Sequence, residues 1–203
     1  MNTALLTIVR HGETSANTDG VWHGSTDTAL SERGHQQARA VGSHLVGDAQ
    51  TYNHVYCSPL QRARHTAEAI ASGLGLSPQQ DPRLTEYDLG SWEGKTYIEL
   101  HRDYQFWEKM KEDPDFAPHG GESPRQVTDR YVTALRAIAG NHPGERVIVV
   151  GHGGALSMAL AEIVEGTYTS FGKVMGNCAV TELRLEPDAV LDRFNFTEHL
   201  EGI

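Results

Sequence analysis

Leu5-Leu6-Thr7-Ile8-Val9-Arg10-His11-Gly12-Glu13 is the stretch on which the reading of this chain turns. Its apolar and β-branched residues stop abruptly at Arg10, the pattern of a short buried strand that opens into a loop. The same pattern returns at Arg146-Val147-Ile148-Val149-Val150, which runs into Gly151-His152-Gly153-Gly154. Two His-Gly pairs therefore stand at the carboxyl ends of two predicted strands. Outward from the first, Ser31 is placed to cap a helix over 32–46, with Ala38, Val41 and Leu45 on one face and Gly47 as its stop. Residues 55–57 read as another strand, and Ser58-Pro59 as the cap and first-turn proline of a helix carrying Ala63, Ala67, Ile70 and Leu74.

The middle of the chain is less regular. Residues 76–95 are rich in Pro, Asp and Gly and read as loop with at most a brief strand. A helix is predicted over 97–111, bearing Tyr104, Phe106 and Trp107, and 113–123 reads as an excursion. Ser123-Pro124 caps a helix with Val127, Tyr131, Leu135 and Ile138 on one face. A helix over 155–164 and two closing strands, 179–185 and 190–196, complete the pattern. Strands alternating with helices predict an α/β fold: a mostly parallel central sheet with helices on both faces, and ligands bound beyond the carboxyl ends of its strands. The expectation is a single domain over 1–203, with a lid excursion around 95–123.

Composition narrows the function classes. The 203 residues include 17 Lys+Arg against 27 Asp+Glu, a formal charge of -10, with 38% hydrophobic residues. That balance suits one folded domain and argues against nucleic acid or an anionic membrane as partner, since phosphate-backbone affinity needs clustered cations. Met1-Asn2-Thr3 lacks a basic leader region, and the apolar run 4–9 is too short for a signal peptide or a membrane span, so the expected location is cytoplasmic. Cys57 and Cys178 show no metal-binding spacing and read as reduced, buried thiols.

Further motifs follow the first in order: Asn17, the Gly24 loop, Leu30-Ser31-Glu32-Arg33-Gly34, Ser58-Pro59-Leu60-Gln61-Arg62-Ala63, Glu86 with Leu89-Gly90, Gly120-Gly121-Glu122-Ser123, and Val150-Gly151-His152-Gly153-Gly154. Singly, an arginine is an ordinary ion-pair partner and a histidine before glycine an ordinary helix cap. As an ordered set spanning nearly the whole chain, they resemble the histidine phosphatase (phosphoglycerate-mutase-like) superfamily, and Leu89-Gly90-Ser91-Trp92-Glu93-Gly94 resembles its phosphatase branch.

Phosphoryl transfer asks a protein for an in-line nucleophile and for neutralisation of charge on the equatorial oxygens. Arg10 and Arg62 suit the second task, because a guanidinium offers forked donors matched to phosphate. A neutral imidazole can serve as nucleophile, and two nearby arginines favour the neutral form. His11 is the residue chosen. The resemblance implies that His11 becomes a phosphohistidine and that His152 donates to the phosphate in the pentavalent transition state. It implies equally that Glu86 protonates the leaving alkoxide and then deprotonates water. Asn17 is expected to contact the phosphate, and His23 and Gly24 to lie near the substrate. Gly153 and the helix start behind it are expected to add backbone donors. Glu93 and Glu99 follow Glu86 closely as alternatives for the acid, while Glu13 and Glu122 read as loop-orienting. His119 is kept as a substrate contact. His35, His44, His54, His65, His101, His142 and His199 read as surface residues without ligand spacing, so no metal and no cofactor are expected. Phe106 and Trp107 read as packing, with the mouth of the site as the alternative.

A cysteine-dependent phosphatase would need an arginine at position 63, which is Ala63. The function read from the sequence is hydrolysis of small phosphomonoesters, by the 118–123 string sugar phosphates or phosphoglycerate-like compounds. The expected partner is thus a small phosphorylated metabolite, and a homodimer is left open. Two alternatives stay open: a phosphoglycerate mutase, and a non-enzymatic phospholigand binder.

Overall fold

The computed structural model describes residues 4–169, 174–186 and 188–203. Met1-Asn2-Thr3, read above for a leader, lie outside the described residues. Strands are β1 (Leu5–Arg10), β2 (His54–Cys57), β3 (Pro78–Gln80), β4 (Arg146–Gly151), β5 (Val180–Arg184) and β6 (Val190–Phe196). Helices are α1 (Ser15–Asp19), α2 (Glu32–Gly47), α3 (Gln61–Leu74), α4 (Tyr97–Arg102), α5 (Phe106–Glu112), α6 (Pro124–Asn141) and α7 (Gly153–Glu165). The sheet order is β3-β2-β4-β1-β5-β6. The first four strands run parallel, and β5 and β6 close the sheet antiparallel. Among the described residues no helix is long and apolar enough to cross a membrane.

Strand side chains alternate between faces, so β1 and β4 feed two separate cores. Leu6, Ile8, Val147 and Val149 pack with Val127, Tyr131, Leu135 and Leu156 of α6 and α7. Val9, Ile148 and Val150 pack on the other side with Val41, Leu45, Ala67 and Ile70 of α2 and α3. This is the expected α/β sandwich of helices on both faces. β4 lies between β1 and β2, so the chain reverses its direction of travel across the sheet there, and a crevice opens outside the carboxyl ends of β1 and β4.

Three local expectations are corrected. The predicted helix over 97–111 is two helices, separated at Gln105, which sits in the left-handed region at φ 50°. Leu100 and Phe106, both fully buried, would project about 120° apart on one continuous helix with 3.6 residues per turn; the break turns both inward. α3 begins at Gln61 rather than at Pro59, with Leu60 as its N-cap. The Gln61 N–H is instead satisfied by the Asp27 carboxylate at 2.7 Å, from the 24–30 loop. Gly47 is the last residue of α2 rather than a left-handed stop, and Asp48 caps the helix in an extended conformation. Elsewhere the caps are as read: Ser31 accepts from the Gly34 N–H, and Ser123 closes a capping box with Gln126 ahead of α6.

Candidate active site

Parallel register sets Val9 against Val150 and Arg10 against Gly151. Neighbouring strands lie about 4.8 Å apart, so the residues that follow, His11 and His152, stand side by side with ring centroids 5.1 Å apart. The His11 Nδ1 lies 2.7 Å from the Gly12 carbonyl oxygen. A carbonyl only accepts, so Nδ1 carries the proton and the neutral ring keeps its lone pair on Nε2. His152 is the reverse: the Arg62 Nε–H donates to its Nδ1 at 3.2 Å, which places the ring proton on Nε2. That Nε2 is buried with no hydrogen-bond partner among the described residues, as is Arg10 Nε. Buried polar atoms are rarely left so, and both belong to residues that could serve an anion.

Burial first, then the charges of Arg62 and Arg10, hold His11 well below its ordinary value. Burial, followed by Arg62 and His11, does the same to His152. Both rings are thus neutral where a free imidazole would titrate. Backbone carbonyls fix the arginines: Arg62 donates to Thr26, His23 and Gly24 at 2.8–3.0 Å, and Arg10 to Met175 at 2.6 Å.

The Glu86 carboxylate accepts from three backbone N–H groups: Gly154 at 2.9 Å, Ala155 at 2.7 Å and its neighbour Tyr87 at 2.9 Å. Of the donors at the start of α7 expected to serve the phosphate, those of Gly154 and Ala155 are therefore occupied by the Glu86 side chain, which sits at this helix N-terminus. Two glycines allow this. A Cβ on Gly154 would stand 2.9 Å from Glu86 and 2.8 Å from Trp22, and one on Gly153 3.0 Å from the Arg10 guanidinium. The rival acids are used elsewhere: Glu93 holds the N–H groups of Gly24 and Leu89, and Glu99 closes the capping box of α4. Arg130, which sequence reasoning missed, bonds the carbonyls of Thr85 and Glu86 at 2.7 and 2.9 Å and pairs with Glu122 at 2.6 Å. Its only signal was the loop-orienting role read for Glu122.

A cavity of about 270 Å³ gathers Arg10, His11, Asn17, His23, Arg62, Glu86 and Gly153 in its lining. Two of the expected residues are not in that lining. His152 stands beside the His11 ring, and Gly24 packs so closely on the Tyr87 carbonyl that a Cβ would come within 2.0 Å of it. Gly24 thus acts through Arg62, whose guanidinium its carbonyl holds. The Asn17 Oδ1 accepts from the backbone and hydroxyl of Thr14 at 3.1 Å each and from Asn177 at 3.2 Å, so its oxygen is engaged in capping α1. His23 is bonded to the Thr28 hydroxyl. His119, kept as a substrate contact, is exposed and outside the cavity. Phe106 and Trp107 line it, and Phe106 is at once core and wall.

Both cysteines are free and buried. Burial pushes the Cys57 thiol up to about 12, and it does not line the cavity. Of the histidines read as lone surface residues, His54 stacks on His142 with centroids 3.8 Å apart, and both face Glu145. Tyr56 bonds the other nitrogen of His142 at 2.9 Å.

The Histidine phosphatase superfamily (branch 1) pattern matches residues 6–197. The chain is 40% identical over 158 residues to phosphoglycerate mutase-like protein 4 of Arabidopsis thaliana, covering 75% of this chain and 68% of that one. It is 35% identical over 205 residues to the metal-independent phosphoserine phosphatase of the same plant, covering 98% and 84%. The solved mycobacterial glucosyl-3-phosphoglycerate phosphatase, complexed with VO3, superposes with a TM-score of 0.83 at 31% identity, over 96% of this chain and all of that one.

Proposed function

The chain belongs to the histidine phosphatase superfamily, branch 1, and from that premise we propose that it hydrolyses small phosphomonoesters, without a metal, through a phosphorylated His11. The observation that carries the reading is the His11 tautomer. With Nδ1–H donated to Gly12, the lone pair of Nε2 belongs to a neutral ring in the lining of a cavity shared with Arg10, Arg62 and Glu86.

The Nε2 lone pair attacks phosphorus, and the ester P–O bond breaks with its electron pair leaving on the alcohol oxygen. Glu86, in the same lining, is the group that passes that oxygen its proton. Arg10, Arg62 and the unpartnered Nε2–H of His152 meet the charge that gathers on the equatorial oxygens. In the second half Glu86, now a carboxylate, takes a proton from water as the water oxygen bonds to phosphorus. The P–N bond breaks, its pair returns to Nε2, and inorganic phosphate leaves. Similar relatives named for different substrates share this phosphate end, which is the part of the substrate the proposal carries over.

The test is phosphate release from a panel of phosphomonoesters with a chelator present. Wild type turns over, His11→Ala does not, and Glu86→Gln loses about 10²–10⁴-fold in kcat, the usual contribution of a positioned acid–base group. Full activity in His11→Ala overturns the mechanism. Transfer of phosphate between the positions of a phosphoglycerate, faster than its release, would give the mutase alternative.

A further inference from the structure

Beside its charged residues the cavity is lined largely by hydrocarbon and aromatic rings. Val21, Trp22, Phe106, Trp107, Met110 and Met158 form this apolar wall. Trp22 packs edge-on against Tyr97 and Phe106, and its single polar atom is turned away, donating to the Tyr87 carbonyl at 3.1 Å. Of the polar side chains in the lining, the Thr14 hydroxyl is engaged with Asn17, one His23 nitrogen with Thr28, and the Ser157 hydroxyl with the Gly153 carbonyl; the hydroxyls of Tyr87 and Tyr97, the Asn17 amide nitrogen and the Trp107 indole N–H belong to lining residues as well.

Charge gives the same answer. Among the described residues the cations of the lining are Arg10 and Arg62, both at the phosphate end and both anchored by backbone carbonyls. A second anionic group on the substrate, such as the carboxylate of a sugar acid, would find no cation of its own among the described residues and would share the cavity with Glu86. A sugar's many hydroxyls would lose water against a lining made mostly of hydrocarbon and ring faces, with few groups to return a hydrogen bond, and an unpaired polar group buried in this way is costly. A hydrocarbon loses nothing there and gains by leaving water.

We propose that this wall is a leaving-group subsite, and that the substrate is a phosphate monoester of an apolar, ring-sized alcohol, alkyl or aryl. The proposal rests on the phosphatase reading and departs from the sugar-phosphate or phosphoglycerate-like class suggested by the 118–123 string. That string does not line the cavity, and His119 is exposed.

Two homologous series test it on the full chain. In the first, kcat/KM is measured for n-alkyl phosphates of increasing length; in the second, Kd for the non-hydrolysable n-alkylphosphonates is measured by calorimetry. Each added methylene raises kcat/KM and tightens Kd about four-fold, from about 0.8 kcal/mol per buried methylene at 1.4 kcal/mol per factor of ten, until the wall is covered. Trp107→Ala and the near-isosteric Val21→Thr lower that factor toward one. 3-Phosphoglycerate binds more weakly than the longer alkylphosphonates. A flat phosphonate series, or tighter binding of 3-phosphoglycerate, overturns the subsite whatever the enzyme's activity. A rising phosphonate series with no phosphate released from any ester sustains the subsite and overturns the phosphatase reading instead.

Discussion

At His11 and His152 the ordinary logic of imidazole is displaced downward, by burial first and by the neighbouring guanidinium groups second. The unfolded chain therefore takes up protons before the folded one as pH falls. These two rings contribute stability that is fully present above the ordinary imidazole range near 6.5 and is lost progressively below it. An NMR titration of the ring signals in the free protein will show both rings still neutral at about pH 6.5; a midpoint there for His11 contradicts the account. Denaturant unfolding will show wild type losing more stability between about pH 7 and pH 5 than His152→Asn, which removes one of the two groups. The residues in this pair were legible in the sequence because each opens a His-Gly pair at the end of a mostly apolar strand, within an ordered set of motifs. Their tautomers were not, since each depends on which atom of Gly12 or Arg62 lies opposite.

Elements place those residues, and two loops do the fine positioning. Asp27, from the loop that also holds Arg62 through Thr26 and Gly24, caps the start of α3. Asp27→Ala should cost about 1 kcal/mol in unfolding free energy, the usual loss of a cap, and should lower kcat/KM because Arg62 lies in the first turn of the same helix. Arg130 ties α6 to the loop that carries Glu86. Arg130→Met should lower kcat while leaving alkylphosphonate affinity nearly unchanged, a split that simple unfolding would not produce. Helix faces were readable from their 3.6-residue period. The start of α3 and the break at Gln105 were not, because each is decided by a partner distant in sequence: Asp27 for one, and for the other the aromatic cluster of Trp22, Tyr87 and Trp92 that receives Phe106.

Across the whole molecule the formal charge of -10 and the site have opposite signs. Arg10 and Arg62 arrive from two different strand–helix junctions and make one cationic pocket beneath an acidic exterior, so the net charge describes approach rather than recognition. A phosphoprotein or other large polyanion should be turned over more slowly than a small ester at low ionic strength, and added salt should narrow the gap as exposed charges are screened. Equal rates at low salt would contradict this. The central claim concerns one bond, between phosphorus and Nε2 of His11. Rapid acid-free quenching of wild type during turnover, followed by intact-mass and fragment analysis, should find one phosphoryl group on His11 that disappears in His11→Ala and persists longer in Glu86→Gln. A phosphoryl group on any other residue, or steady turnover with none trapped and His11→Ala fully active, would contradict the account.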